Sequence, residues 1–245
     1  GMIGRKLTER LVRDGGLGGR AIGRLTLADV VAPAAPAGYS GKVETLAVDI
    51  SDRAVAVRLA STRPDVIFHL AAIVSGEAEA DFDKGYAINL DGARFLFEEI
   101  RQEGLRQKYA PRVVAASSIA VFGAPFPDPI PEGFYLTPLT SYGTQKAIAE
   151  LLLNDYVRKG FFDGLSIRFP TICIRPGKPN AAASGFFSNI LREPLVGQEA
   201  VLPVSEDVRH WHASPRAAVQ FLVHAGTMDL APIGPRRALS MPGLS

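Results

Sequence analysis

Val66-Ile67-Phe68-His69-Leu70-Ala71-Ala72-Ile73-Val74 is the longest apolar run in the chain. It is far shorter than the ~20 residues a membrane-spanning helix needs, and His69 interrupts it. Val66 to Leu70 therefore reads as a buried strand, closing on the small residues Ala71 and Ala72. Asp83 to Glu103 follows as a long amphipathic helix, with Pro111 beyond it. Arg112 to Ser117 is the next strand. Strand, helix, strand in this order implies a right-handed crossover and two parallel strands.

The same alternation extends in both directions. Upstream, Gly4 to Arg13 reads as a helix with Leu7, Leu11 and Val12 on one side, ended by Gly15-Gly16-Leu17-Gly18-Gly19. Leu25 to Val31 and Val43 to Ile50 are strands. Ser51 is placed to cap a helix from Asp52 to Ser61. Downstream, Ser141 to Lys159 is a helix and Leu165 to Phe169 a strand. Prolines 170, 176, 179, 194 and 203 then break the pattern, leaving one helical stretch near Ser184 to Leu195. Ser214, with Pro215 at the first helical position, starts a helix that runs to Gly226. Ala238 to Ser245 reads as a short strand and loop.

The fold class is α/β, a doubly wound, mostly parallel sheet of Rossmann type with a small irregular substrate-facing lobe. We place the dinucleotide-binding part at 1–177, a lobe segment at 178–204, a return to the main domain at 205–237, and the start of a C-terminal lobe at 238–245.

Composition narrows the function. The chain has 245 residues, 47% hydrophobic and 21% charged, which excludes a disordered protein. Its formal charge of +2 gives no electrostatic footprint for nucleic acid or an anionic membrane. The single cysteine, Cys173, excludes an intrachain disulfide and suits a reducing cytoplasm. The N-terminus shows no basic segment ahead of an apolar core.

Several residues carry chemistry. Gly1-Met2-Ile3-Gly4 opens a helix at a spacing that lets backbone approach a pyrophosphate. Asp29 ends the next strand, where a carboxylate accepts bonds from a ribose 2′-hydroxyl and repels a 2′-phosphate, favouring NAD over NADP. His69 reads as a core histidine. Leu70-Ala71-Ala72 leaves room for a ligand over the sheet edge, and Ser75 lies within reach of it. Ser117-Ser118 ends the fourth strand and directs a hydroxyl into the same crevice. Tyr142 and Lys146 are four apart on one helix, so they share a face. A nearby ammonium favours the phenolate, and such a tyrosine can take a proton from a substrate hydroxyl. Arg175 and Lys178, in the proline-rich loop after the fifth strand, can hold an anion. Arg209, beside Trp211, is a further anion reader. His210 and His212 lack the Cys, His or carboxylate partners of a metal site, so no metal is expected.

Together these residues resemble the extended short-chain dehydrogenases/reductases, in their NAD-dependent epimerase/dehydratase branch. The resemblance covers essentially the whole chain and implies a catalytic triad of Ser118, Tyr142 and Lys146. It implies an NAD site lined by Gly1, Met2, Ile3, Gly4, Asp29, Asp49, Ile50, Leu70, Ala71, Ala72, Ser75, Asn89, Tyr142, Lys146, Pro170 and Thr171. Residues 73–79, 141–146 and 175–184 resemble the D-erythronate dehydrogenase group. That narrower likeness implies a small carboxylate substrate, with Ser75, Ser118, Arg175, Lys178, Asn180 and Arg209 as candidate contacts. It places the chain in carbohydrate metabolism as an NAD-dependent oxidoreductase. Two other readings remain open: a nucleoside-diphosphate-sugar epimerase or dehydratase with bound NAD, and an inactive nucleotide-binding relative. The superfamily's dimers pair helices such as Asp83–Glu103 and Ser141–Lys159, here carrying Phe95, Leu96, Leu151 and Leu152, so a homodimer is expected. The family also begins with a strand ahead of the position of Gly1 and continues past that of Ser245. The expected sheet therefore lacks that first strand and leaves its neighbours' edges unpaired.

Overall fold

The computed structural model describes residues 1–177 and 181–245. Its centre is a four-stranded parallel sheet in which β5 (Val66–His69), β6 (Arg112–Ser118), β7 (Asp163–Phe169) and β10 (Ala238–Ser240) lie in that spatial order. Each crosses to the next in parallel register, with His69 opposite Ala115 and Ser118 opposite Phe169. The expected α/β class is what folds. Ala238–Ser240 pairs with Ser166–Arg168, so these three residues are part of the sheet.

A second parallel pair, β3 (Arg24–Asp29) and β4 (Lys42–Ala47), stands apart. Strands β3 and β5 do not bond to each other, and both line one cleft of about 2550 Å³. Two short pairs complete the strands: β1 (Gly16–Leu17) with β2 (Arg20–Ala21), and β8 (Thr171–Ile172) with β9 (His212–Ala213).

Side-chain alternation along the central strands builds two cores. On one face Val114, Leu165 and Ile167 pack with Leu7 and Leu11 of α1 (Met2–Asp14) and with Val219, Leu222 and Ala225 of α8 (Pro215–Thr227). On the other, Val113 and Ala115 pack with Leu96, Phe97 and Ile100 of α5 (Gly92–Arg106) and Leu153 of α6 (Ser141–Arg158). Burying one such large side chain contributes roughly 1.5–3 kcal/mol, so the two layers clamp the sheet and fix the ends of its strands.

The local chemistry explains the boundaries. Gly15, at φ 68°, ends α1 in the left-handed region, its N–H returning to the Val12 carbonyl. The Ser214 hydroxyl accepts from Ala217 N at 3.1 Å and caps α8 as the sequence predicts. The cap of α2 (Arg53–Ser61) differs from expectation: Asp52, not Ser51, accepts from Ala54 N at 2.9 Å. Ser51 is already bound to Asp49, through its N–H at 2.9 Å and its hydroxyl at 2.7 Å.

The helix expected at Asp83–Glu103 is also more elaborate. A short helix, α3 (Ser75–Ala80), precedes it. The long helix then begins as α4 (Phe82–Gly85), capped by the Asp81 carboxylate on Lys84 N, and passes through a π-helical turn at Tyr86–Asp91 before α5. Of the side chains expected to form a dimer face, Leu96 is buried and Leu152 packs on the core, while Leu151 is 64% exposed.

Among the described residues, no helix is long and apolar enough to cross a membrane.

Candidate active site

The carboxyl ends of β5, β6 and β7 open on the large cleft, as parallel α/β sheets require of a ligand site. Strand β6 ends at Ser118, whose hydroxyl caps a 3₁₀ turn by accepting from Ala120 N at 3.1 Å. Helix α6 starts beside this turn, with the Thr140 hydroxyl accepting from Gly143 N at 3.0 Å. Gly143 is needed there: a Cβ would lie 2.2 Å from the Ala120 carbonyl oxygen. That close approach sets the start of α6, with Tyr142, beside the Ser118 turn, and both side chains line the cleft.

Lys146 is one turn further along α6 and only 5% exposed. Its Nζ donates to the Ala116 carbonyl at 3.0 Å and lies 5.7 Å from the centre of the Tyr142 ring. Burial pulls its pKa down to about 8, against an opposing pull from Glu150. Burial pushes the Tyr142 phenol above its ordinary value, while the Ser118 hydroxyl and the charge of Arg175 act to lower it. His69, at the end of β5, is held neutral by burial and by the Lys146 charge, with its pKa near 4, and meets Phe97 edge-on.

Arg175 is fixed against the same cleft. Its Nε donates to the Ile172 carbonyl at 3.1 Å and its Nη2 to Ser184 Oγ at 3.2 Å. Nη1 makes no hydrogen bond among the described residues, so the guanidinium is positioned with one end available. Ser184 and Ser188, which accepts from Arg175 N at 3.0 Å, are members of this wall that the sequence did not single out. Arg192 also lines the cleft, but its donors are spent on the Arg175 carbonyl, Asn189 and Glu193.

Most of the expected residues converge on this space. Gly1 through Gly4, Asp29, Asp49, Ile50, Leu70, Ala71, Ala72, Ser75, Pro170 and Thr171 all line it. Ser75 Oγ accepts from Ala183 N at 3.0 Å and so ties α3 to the irregular segment. The Thr171 hydroxyl pairs with His210 Nε2 at 2.7 Å. Arg209 sits at the rim, 71% exposed, with its guanidinium 3.7 Å from Asp128. Lys178 and Asn180 lie outside the described residues.

Asn89 corrects an expectation. It is 2% exposed and faces inward, accepting from Ile73 N at 2.9 Å and donating to Gln145 at 2.8 Å, so it braces the site instead of lining the cofactor berth. His210 and His212 have ring centres 5.1 Å apart, and Phe187 packs on both. Among the described residues, no cluster of three His, Cys, Asp or Glu side chains could hold a metal ion.

The cleft fits a dinucleotide. No side chain caps α1, so its first-turn N–H groups open on the cleft where a phosphate binds best, and a Cβ on Gly1 would meet nothing within 4 Å. Asp29 stands at the end of β3 and lines the cleft together with Gly1 and Gly4, so the turn at the head of α1 and the acidic strand end share one wall.

An open parallel sheet with a helix N-terminus, an acidic strand end and a Tyr–Lys helix around one crevice defines the class of Rossmann-type nucleotide-binding enzymes. The chain belongs to the NAD dependent epimerase/dehydratase family, which it matches over residues 1–221. NAD is that family's cofactor. The chain is 47% identical to D-erythronate dehydrogenase of Cupriavidus necator and 42% identical to that of Haemophilus influenzae, in both cases across its full length and 75% of theirs. It superposes with a TM-score of 0.95 on the nucleoside-diphosphate-sugar epimerase of Agrobacterium tumefaciens, at 70% identity over 99% of this chain and 71% of that one. L-threonine dehydrogenase of Clostridium difficile, 23% identical, shares the fold at a TM-score of 0.82, covering all of this chain and 73% of its own.

Proposed function

We propose that the protein oxidises a secondary hydroxyl of a small sugar acid, D-erythronate or a close analogue, to the 2-keto acid. The observation that carries this reading is the convergence of Ser118, Tyr142, Lys146 and Arg175 on one cleft of an NAD-family fold. The likeness to two D-erythronate dehydrogenases supports the substrate class.

Arg175 offers Nη1, which makes no hydrogen bond among the described residues, to the substrate carboxylate, a charge-assisted bond that sets the orientation of the chain. Ser118 orients the C2 hydroxyl. Tyr142 as phenolate takes the hydroxyl proton, and Lys146 lowers the cost of the phenolate with its positive charge. Bound NAD supplies the two-electron acceptor. Gly1, Gly4, Asp29, Asp49, Ile50, Leu70, Ala71 and Ala72 would hold it, and Lys146 would hold its ribose. The protein acts in the cytoplasm, and as a homodimer through α5 and α6, with Leu151 on the shared face.

The test is direct. Purified protein mixed with NAD and D-erythronate produces the reduced cofactor, followed by its absorbance. Tyr142→Phe lowers kcat by roughly 10²–10⁴-fold and leaves NAD affinity and melting temperature near the wild-type values. A wild-type rate in that variant removes Tyr142 as the base, and no cofactor reduction across a panel of sugar acids overturns the substrate reading. The likeness to the Agrobacterium protein supports a second reading as a nucleotide-sugar epimerase, which predicts turnover of a nucleotide sugar without net reduction.

A further inference from the structure

Beneath the cleft a buried charge network crosses three elements. Glu150 lies one turn beyond Lys146 on α6 and is 3% exposed. It accepts from Arg168 of β7, through Nε at 3.0 and 3.1 Å and through Nη2 at 2.8 Å. It also accepts the Ser117 hydroxyl of β6 at 2.5 Å. Ser117 directly precedes Ser118, and Arg168 leads into Pro170 and Thr171. Glu150 therefore binds to one another the two strands and the helix that carry the site.

Glu150 also shares a cavity with Lys146, with no ion pair between them among the described residues. A small cavity of about 10 Å³ touches both Lys146 and Glu150, and its polar lining is completed by His69, Asn89, Ser117 and Ser166. The groups around the ammonium can be counted element by element. Strand β5 contributes His69, which is neutral, and the π-turn contributes the uncharged Asn89. Strand β6 contributes the Ala116 carbonyl and Ser117. Helix α6 contributes Tyr142 and Glu150, and β7 contributes Ser166 and the cation Arg168. Glu150 is the one acidic side chain in this set, and Arg168, itself 3.8 Å from Glu132, competes for it.

We propose that Glu150 is a positioning residue that acts as the counter-charge of Lys146, keeping the buried ammonium protonated while Arg168 and Ser117 hold the carboxylate in place. A carboxylate at i+4 stabilises a helical cation, and in a buried setting that attraction is screened far less than at a surface. Removing it makes Lys146 give up its proton at lower pH, which takes the positive charge away from Tyr142. The consequence for turnover rests on the proposed dehydrogenase reaction, but the effect on the lysine does not.

The experiment therefore reads the lysine directly, without substrate or cofactor. Protein labelled with ¹³Cε-lysine gives signals from seven lysines, and the Lys146 signal is the one lost in Lys146→Met. Its titration midpoint is compared between wild type and Glu150→Gln. The proposal expects the midpoint to fall by about one pH unit or more, a tenfold or larger shift in proton affinity. Glu150→Gln leaves Arg168 without its partner and can compromise folding, so Glu150→Gln/Arg168→Met is the companion variant, with no uncompensated buried charge. There the fall is smaller, because a competing cation leaves with the carboxylate. Ser117→Ala alters no charge. It strips the carboxylate of one of the donors that hold it in place and moves the midpoint downward by less than Glu150→Gln does. A midpoint unchanged in the variants that fold assigns Glu150 a purely structural role and overturns the proposal. In the dehydrogenase assay the alkaline limb of the pH–rate profile moves the same way as the midpoint in each variant; a structural defect lowers the rate without moving that limb.

Discussion

Asn89 donates to Gln145 at 2.8 Å inside the protein, joining the π-helical turn of one long helix to the residue that precedes Lys146 on another. The same Asn89 side chain accepts from Ile73 N at 2.9 Å, so one amide sets the position of the loop after β5 and the start of α6 together. A π-turn widens the helix by one residue, and such turns cluster at functional sites.

Replacing Asn89 by leucine or alanine strands the Ile73 N–H and the Gln145 carbonyl in a buried place. Each orphaned group costs about 1–3 kcal/mol. Asn89→Ala is expected to lose roughly 2–5 kcal/mol of stability in urea denaturation and to lower kcat through displaced Lys146. Asn89→Asp, which keeps the acceptor for Ile73 but cannot donate to Gln145, falls between.

Arg175 is anchored by Ile172 and Ser184 and contributes no buried charge pair to the core. Arg175→Met should therefore leave the melting temperature close to wild type. Loss of a charged hydrogen bond worth about 1.5–3 kcal/mol raises KM for a sugar acid by roughly 10–100-fold. The readout is steady-state kinetics on the acid and on its uncharged alditol: the variant loses its preference between them. Ser184→Ala, which frees one end of the guanidinium, gives a smaller rise of the same sign.

The elements that the sequence made legible are those whose signal is local. The strand at Arg112, helix α6 and the Ser214–Pro215 start of α8 follow from apolar runs and caps that neighbouring residues decide. What escaped depends on partners far along the chain. The π-turn arises because Asn89 reaches Ile73 and Gln145, and no periodicity encodes that. Ser51 and Asp52 are both good caps, and the choice falls to Asp52 only because Asp49 occupies Ser51. The Tyr142–Lys146 pair was readable from its spacing, whereas Glu150 and Arg168 look like solvated charges until β6, β7 and α6 fold around them. The family resemblance places Asn89 at the NAD site, and its inward direction is set by Ile73 and Gln145, distant partners that its position on a helix does not encode.

His69 titrates near pH 4 in the folded chain against an ordinary 6.5, because burial opposes its charge. The unfolded chain thus binds one proton more between these values, and stability is lost as pH falls from 6.5 toward 4. His69→Gln should flatten the stability–pH curve in that window by about one proton's slope, measured by urea denaturation at half-unit steps. His210 and His212, whose pKa values burial also lowers, retain the rest of the acid sensitivity.

Lys146 gives the opposite test, of stability against function. Its pKa is lowered from 10.5 to about 8 by burial, so the folded state releases the proton more readily than the unfolded chain. Between those values the unfolded chain binds more protons, and wild-type stability rises with pH; below 8 the full cost of the buried ammonium is present. Lys146→Met removes that cost. The variant is expected to be more stable than wild type at pH 7, by on the order of 3 kcal/mol, with the advantage shrinking as pH climbs toward 10.5. It should also be inactive, because Tyr142 loses its cation. Thermal melts at pH 7 and pH 10 alongside the cofactor-reduction assay check both halves. A variant less stable than wild type at pH 7 would mean that the bond to Ala116 and the attraction of Glu150 outweigh the desolvation of the ammonium.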